Sequence, residues 1–387
     1  MSADPRPSVV LLRGHHANVW DLRPWELLMD RYDVTVLVTG SNLHEVGGTA
    51  LREVKVRTPR DALPAGRAAG AAAYLLGERY LGLRRHVRDA AIVHAAELGT
   101  WHSAQAARLR DNLDFRLAVT VWETIPWRDT YRWPRERAYR RSVLAAADLF
   151  LPTTERARAA LLLEGAAPDR TRVCAPGVDV EDFAAAASRA RTAGPSSSPR
   201  QRILSAGRLV WEKGHQDVLR ALAALRGGLV GPAREDVELL IVGSGPDGRK
   251  LRAYARELGL GEAVTFRSTV PHAEMPALYA GASCLVLASL PTRAWEEQFG
   301  MVLVEAMSCG TPVVACSTGA IPEVLADCGG GTLVGPGDWI GLARALAEGP
   351  LAARSTGSAP ADAARLEHFS TTAAAERLAT AYASLLS

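Results

Sequence analysis

Short β-branched runs alternate with amphipathic or turn-rich stretches along this chain, and the alternation stops once and then restarts. Before the stop the runs are residues 9–12, 34–39, 91–94 and 117–122. After it they are 202–206, 238–242, 263–267, 284–287, 312–315 and 331–334, separated by helical stretches such as 215–226 and 249–258. Strands that alternate with helices pair in parallel. The stop itself, Ser-Arg-Ala-Arg-Thr-Ala-Gly-Pro-Ser-Ser-Ser-Pro from Ser188, has no apolar periodicity and the composition of a linker. This pattern predicts an α/β protein of two doubly wound, Rossmann-like domains, 1–187 and 201–365, joined by a linker at 188–200. Residues 366–387 read as a C-terminal helix able to cross back to the first domain. Open sheets of this kind take ligands beyond their strand C-termini, so two domains facing each other predict one deep interdomain cleft. No period of 20–50 residues repeats, which excludes a solenoid.

The 387 residues are 48% hydrophobic and 22% charged, enough apolar material for two cores and too much for a disordered chain. No apolar run approaches the length of a membrane span. Arg13, His15 and His16 interrupt the first apolar run at once, unlike a signal peptide, so the expected location is cytoplasmic. Five cysteines without a Cys-x-x-Cys disfavour a disulfide scaffold or a structural zinc site. The net charge of +3 is spread over scattered residues, so nucleic acid is not an expected partner. Among 45 basic residues only Lys55, Lys213 and Lys250 are lysines, and with abundant alanine this bias points to a high-GC bacterial genome.

Three segments carry chemistry. Gly207-Arg208-Leu209-Val210-Trp211-Glu212-Lys213-Gly214 joins a strand to a helix and places two cations where main-chain N–H groups also favour anions, as a diphosphate clamp would. Gly243-Ser-Gly245-Pro-Asp-Gly248 matches G-x-G-x-x-G, but it follows the second strand of its domain and lacks the ribose-binding acid, so it reads as a glycine-rich turn near a nucleotide rather than an NAD(P) site. Glu297 and Glu305 have seven residues between them; a helix starting near Gly300 leaves Glu297 in the preceding loop and Glu305 one to two turns in. Carboxylates accept paired hydrogen bonds from vicinal diols, which a ribose or hexose supplies.

Together with 309–314 and 319–324, these segments resemble the retaining glycosyltransferases of family 4, which have the two-Rossmann GT-B architecture. The resemblance spans essentially all of 202–340 in order, with Pro176-Gly177-Val178-Asp179 as a weaker N-terminal part. It implies that Arg208 and Lys213 contact the donor diphosphate, Glu297 the sugar and Glu305 the ribose. It also implies donor contacts from Gly14, Gly243, Gly245, Phe299, Gly300, Met301 and Val302, with Glu297, Arg208 and Lys213 as the catalytic set. Two departures stand out. Gly14-His15 replaces the usual Gly-Gly, and Trp122-Glu123 stands where many members carry a histidine. Candidate acceptor contacts are therefore His15, His94, Glu97, His102, Trp122, Glu123 and Trp127.

The expected reaction is retaining transfer of a hexosyl group from a nucleotide-diphosphate sugar, UDP-hexose first and GDP-mannose second, to a glycan, lipid-linked glycan or small natural product. No Asp-x-Asp occurs, so protein cations are expected to meet the leaving-group charge without a metal or other cofactor. The resemblance implies retention by same-face attack, with the leaving phosphate oxygen assisting deprotonation, so no general base is assigned. Six of the nine tryptophans lie in the first domain, and two or three are expected to meet acceptor. Residues 74–88 read as a crossover helix, with weak membrane-surface association as the less favoured role. A sugar-nucleotide isomerase of the same architecture, a non-catalytic nucleotide-sugar binder and an NAD(P) oxidoreductase are the competing functions.

Overall fold

Twelve strands form two parallel sheets of six in a computed structural model that describes residues 6–44, 46–63, 71, 75, 77–128, 133–192, 201–352 and 362–387. The first sheet contains β1 (Ser8–Leu12), β2 (Asp33–Thr39), β3 (Arg52–Val56), β4 (Ile92–Ala96), β5 (Arg116–Val121) and β6 (Leu149–Pro152), in the order β3-β2-β1-β4-β5-β6. Its central strand β1 is apolar at every position after Ser8 because both faces are covered. Val10 and Leu12 enter the core that holds Phe115 and Leu37, whereas Val9 and Leu11 enter the opposite one with Val36 and Tyr382. Sequence periodicity missed β3 and β6, both at sheet edges. Arg-Glu-Val-Lys-Val conceals β3 because only Val56 is buried, and Pro152 closes β6 where no further strand needs its missing N–H.

The second sheet contains β7 (Gln201–Ala206), β8 (Val237–Val242), β9 (Val264–Arg267), β10 (Cys284–Leu287), β11 (Val313–Cys316) and β12 (Thr332–Val334), ordered β12-β11-β10-β7-β8-β9. Helix His215–Arg226 fills its core with Val218, Leu219, Leu222 and Leu225 against Ile203, Leu239 and Ile241. Each sheet reverses its winding once, between β1 and β4 in the first and between β7 and β10 in the second. Crevices beyond strand C-termini at such reversals are where doubly wound sheets bind ligands.

The compact units divide at different places from those expected. One comprises the residues up to Gly177 together with Thr371–Ser387, the other Val178–Ser370. Residues 188–192 are not linker but the end of helix Val180–Thr192; the rest of the expected linker, 193–200, lies outside the described residues. Phe183 explains the shift, because it packs edge-on to His272 at 5.1 Å and against Tyr279, and Arg191 Nη1 donates to the Cys309 carbonyl at 2.8 Å. Helix Thr371–Leu386 belongs to the first unit, where Tyr382 is fully buried.

Of the crossover helix expected over 74–88, Leu75 and Leu83–Val87 are helical and residues 77–80 are not; residues 74 and 76 lie outside the described set. Leu83 and Val87 face the core. No helix among the described residues is long and apolar enough to cross a membrane. All five cysteines are buried free thiols.

Candidate active site

At the reversal of the second sheet, the turn after β7 meets the segment after β10. Gly214 makes this approach possible: its φ is +68°, and a Cβ there would stand 1.7 Å from the Ala288 carbonyl oxygen. Lys213 is thereby brought to Glu297, with Nζ 2.7 and 3.0 Å from the two carboxylate oxygens. Ser289 Oγ donates to the same carboxylate at 2.6 Å, and the Trp295 ring centre lies 4.9 Å from the ammonium. Both charged side chains are largely buried, 16% exposed for Lys213 and 9% for Glu297. Arg208, in contrast, is 65% exposed and reaches Glu212 only at 3.9 Å. One cation is held by an internal carboxylate; the other extends to solvent.

Gly243 and Gly245 explain the position of Arg208. A Cβ on Gly243 would stand 1.9 Å from the Gly207 carbonyl oxygen, and one on Gly245 2.4 Å from that of Leu209. The Gly-x-Gly pair therefore lets the turn after β8 pack backbone to backbone against the Arg208 turn.

Helix Met301–Ser308 starts at Gly300 with no side-chain cap, leaving first-turn N–H groups available to an anion. Glu305, on its second turn, is 8% exposed and held from both sides. The Tyr279 hydroxyl donates to Oε2 at 2.6 Å, and His272 Nε2 lies 3.3 Å from Oε1. Burial, then the Glu305 charge, pushes the Tyr279 hydroxyl well above its ordinary pKa, so it remains a donor. Phe299 points the other way, buried against Phe369 with ring centres 5.6 Å apart, which leaves its main chain as the part able to meet a ligand. Among the described residues no three His, Cys, Asp or Glu side chains are placed to hold a metal ion.

In the first unit, the turn after β1 and the segment after β4 border a cavity of about 250 Å³. His15 and His102 line it, joined by His16, Glu78, Trp101 and Glu136, with Arg135 and Tyr139 also on its wall. Burial lowers the pKa of His15 and His16 and takes His102 down to about 3, so these imidazoles are neutral at pH 7. Gly14 donates its N–H to the Tyr80 hydroxyl at 2.9 Å, holding the turn in place. Glu97, beside the cavity rather than on its lining, adopts a φ of +65°; it accepts the Trp122 N–H at 2.8 Å, while burial raises its pKa to about 7.

Two family profiles cover most of the chain. Residues 188–349 match the family described as Glycosyl transferases group 1, and residues 25–182 match Glycosyltransferase Family 4. Over 357 residues the chain is 32% identical to D-inositol 3-phosphate glycosyltransferase 1 of Catenulispora acidiphila, covering 88% of this chain and 82% of that one. The chain belongs to the family 4 glycosyltransferases. A D-inositol 3-phosphate glycosyltransferase of Mycobacterium tuberculosis is 35% identical over 193 residues, 48% of this glycosyltransferase and 37% of the relative. The fold is shared with Anabaena HepE, solved in complex with UDP and glucose, at a TM-score of 0.74 and 18% identity over 98% of this chain and 100% of that one. A sucrose-phosphate synthase from Thermosynechococcus elongatus gives 0.73 at 22% identity, over 98% and 99%. The chain is thus a GT-B sugar transferase of the EC 2.4 class.

Of the acceptor candidates of this glycosyltransferase, His15 and His102 line the cavity and the others do not. His94 is a core residue, fully buried, with one ring nitrogen 2.6 Å from the Tyr382 hydroxyl and the other 2.7 Å from Thr120 Oγ1. Glu123 is occupied by Arg128 at 2.6 Å and by the Ile125 N–H at 3.0 Å. Trp127 is 56% exposed and, like Trp122, does not line the cavity. Trp101 alone among the six N-terminal tryptophans does. Sequence reasoning missed Ser289, Trp295, Tyr279 and His272 around the two glutamates, and Glu78 and Glu136 in the cavity; none belongs to a motif.

Proposed function

We propose that this glycosyltransferase moves a hexosyl group from UDP-hexose, with GDP-mannose the second choice, to an acceptor hydroxyl with retention of configuration, the second unit holding donor and the first acceptor. The observation that carries the reading is the meeting of Lys213, Glu297 and Ser289 at the sheet reversal, with Arg208 exposed on the same turn as Lys213 and an uncapped helix start following. Cations and N–H dipoles there suit a diphosphate leaving group. Glu297 orients the transferred sugar, and Glu305, steadied by Tyr279 and His272, accepts the ribose hydroxyls. Uridine is favoured because HepE was solved with UDP, and the names of the inositol phosphate relatives make a cyclitol the first acceptor class to try.

In the reaction the bond from the anomeric carbon to the phosphate oxygen breaks, and a bond from the acceptor oxygen forms on the same face. The acceptor proton passes to the departing phosphate oxygen, whose charge Arg208 and Lys213 neutralise, so neither a metal nor a side-chain base takes part. A panel of nucleotide sugars, each incubated with and without candidate acceptors and with EDTA, tests this by released nucleotide and product anomer. UDP release from a UDP-hexose, undiminished by EDTA and giving the donor's anomeric configuration, is expected. Interconversion of the donor sugar without nucleotide release would establish an isomerase instead.

A further inference from the structure

Two carboxylate oxygens at the cavity of the first unit have no hydrogen-bond partner: Glu78 Oε1 and Glu136 Oε2, both buried. The Glu78 side chain is only 10% exposed. Its other oxygen lies 3.5 Å from His15 Nε2, which also lacks a hydrogen-bond partner. Leaving a buried acceptor without a partner is costly, the more so when it is charged, and a ligand rich in N–H and O–H donors removes that penalty.

The charges around the cavity decide which ligand. Glu78 and Glu136 are the acids on its wall and Arg135 the cation, while burial lowers the pKa of the three imidazoles, with Arg13 and Arg60 adding to it and Glu78 and Asp61 opposing it at His15. The wall itself carries two carboxylates and one arginine, while Arg128 acts on Glu136 and Arg60 and Arg13 act on the imidazoles from beyond it. Burial raises the Glu136 pKa against the opposing pull of Arg128, and a ligand cation beside it would draw it further down. A phosphate would meet one arginine and two opposing carboxylates; an ammonium would meet two attracting carboxylates, whose unpartnered oxygens accept its N–H groups, against one arginine. Trp101 and Tyr139 supply flat apolar surface for the C–H face of a sugar or cyclitol. At about 250 Å³ the space falls below the roughly 300–1,000 Å³ of drug-sized sites, which fits a single ring.

We propose that this cavity is the subsite that selects the acceptor, and that it takes a small polyol carrying an ammonium group, an amino sugar or aminocyclitol, in preference to a phosphorylated polyol. The proposal rests on the assignment of acceptor binding to the first unit. Glucosamine, glucose and glucose 6-phosphate, each titrated calorimetrically into the full-length protein with saturating UDP at pH 7, test it. Glucosamine is expected to bind about tenfold or more tighter than glucose, the effect of one charge-assisted hydrogen bond, with glucose 6-phosphate weakest. Glu78→Gln and Glu136→Gln, which keep side-chain size, are expected to remove that preference while UDP affinity stays unchanged. Equal binding of glucosamine and glucose, tighter binding of glucose 6-phosphate, no binding of glucosamine at millimolar concentration, or a preference intact in both variants overturns the proposal. UDP is also titrated into the protein without sugar: its binding together with any of these results removes the subsite only, and its absence in the wild type removes the donor reading as well.

Discussion

Glu297→Gln is expected to separate nucleotide binding from turnover in an unusual direction. Without donor, Glu297 neutralises Lys213 through contacts of 2.7 and 3.0 Å in a site where neither side chain sees much water. A phosphate oxygen hydrogen-bonded to Nζ at about 2.8 Å would stand roughly 5.5 Å from that carboxylate. At an effective dielectric of about 20, two unit charges at this distance repel by about 3 kcal/mol, an upper bound for what the amide relieves. The carboxamide oxygen of the variant would still accept hydrogen bonds from Lys213 and Ser289, so the lysine stays in place. A net gain of ~1 kcal/mol, a fivefold to tenfold tighter UDP complex, is the expected result. Turnover should nevertheless fall by about 100-fold, because the sugar loses the group that orients it. Calorimetry with UDP beside steady-state rates with the donor reads both quantities. UDP binding weakened tenfold, or turnover left intact, would refute the assignment of Glu297 to the sugar.

Glu305→Gln should weaken UDP and donor in parallel by about tenfold, as expected for one lost charge-assisted hydrogen bond to the ribose; equal UDP affinity in variant and wild type would remove that role. Gly214→Ala should lower the melting temperature and abolish UDP binding together, because the new methyl meets the Ala288 carbonyl at 1.7 Å; unchanged melting would show that the turn has room. Glu97, with its pKa raised to about 7 from 4.5, holds its proton more tightly folded than unfolded, so its contribution to stability is lost as pH rises from about 4.5 to 7. Urea titrations at pH 5 and pH 8 should therefore show Glu97→Gln gaining on the wild type at the higher pH by up to ~3 kcal/mol, and an equal difference at both pH values would contradict this.

All six strands of the second sheet were legible in the sequence because each is a short apolar run bounded by turn residues, and so was the helix opening at Gly300. The edge strands of the first sheet were not: a charged edge such as β3 carries no apolar period to read. Arg208, Lys213, Glu297 and Glu305 could be picked out by type and spacing. Their partners could not, since Lys213 meets Glu297 across 84 positions only through the adjacency of β7 and β10. The partner of His94 was hidden for the same reason, since Tyr382 lies 288 positions away on a helix that returns to the first unit. Residues 188–192 looked like linker because their polarity is that of an exposed helix end, while Phe183 and Ala187 do the anchoring. Glu78 and Glu136 become visible only when a cavity shows which carboxylate oxygens lack a partner.

Binding of UDP to the wild type and to the Arg208→Ala/Lys213→Ala double variant tests most directly whether the turn after β7 holds the donor diphosphate. Each charge-assisted contact is worth about 1.5–3 kcal/mol, so losing both should weaken UDP by 100-fold or more while the far-ultraviolet circular dichroism spectrum is retained. Equal UDP affinity in the folded double variant would contradict the assignment of this site.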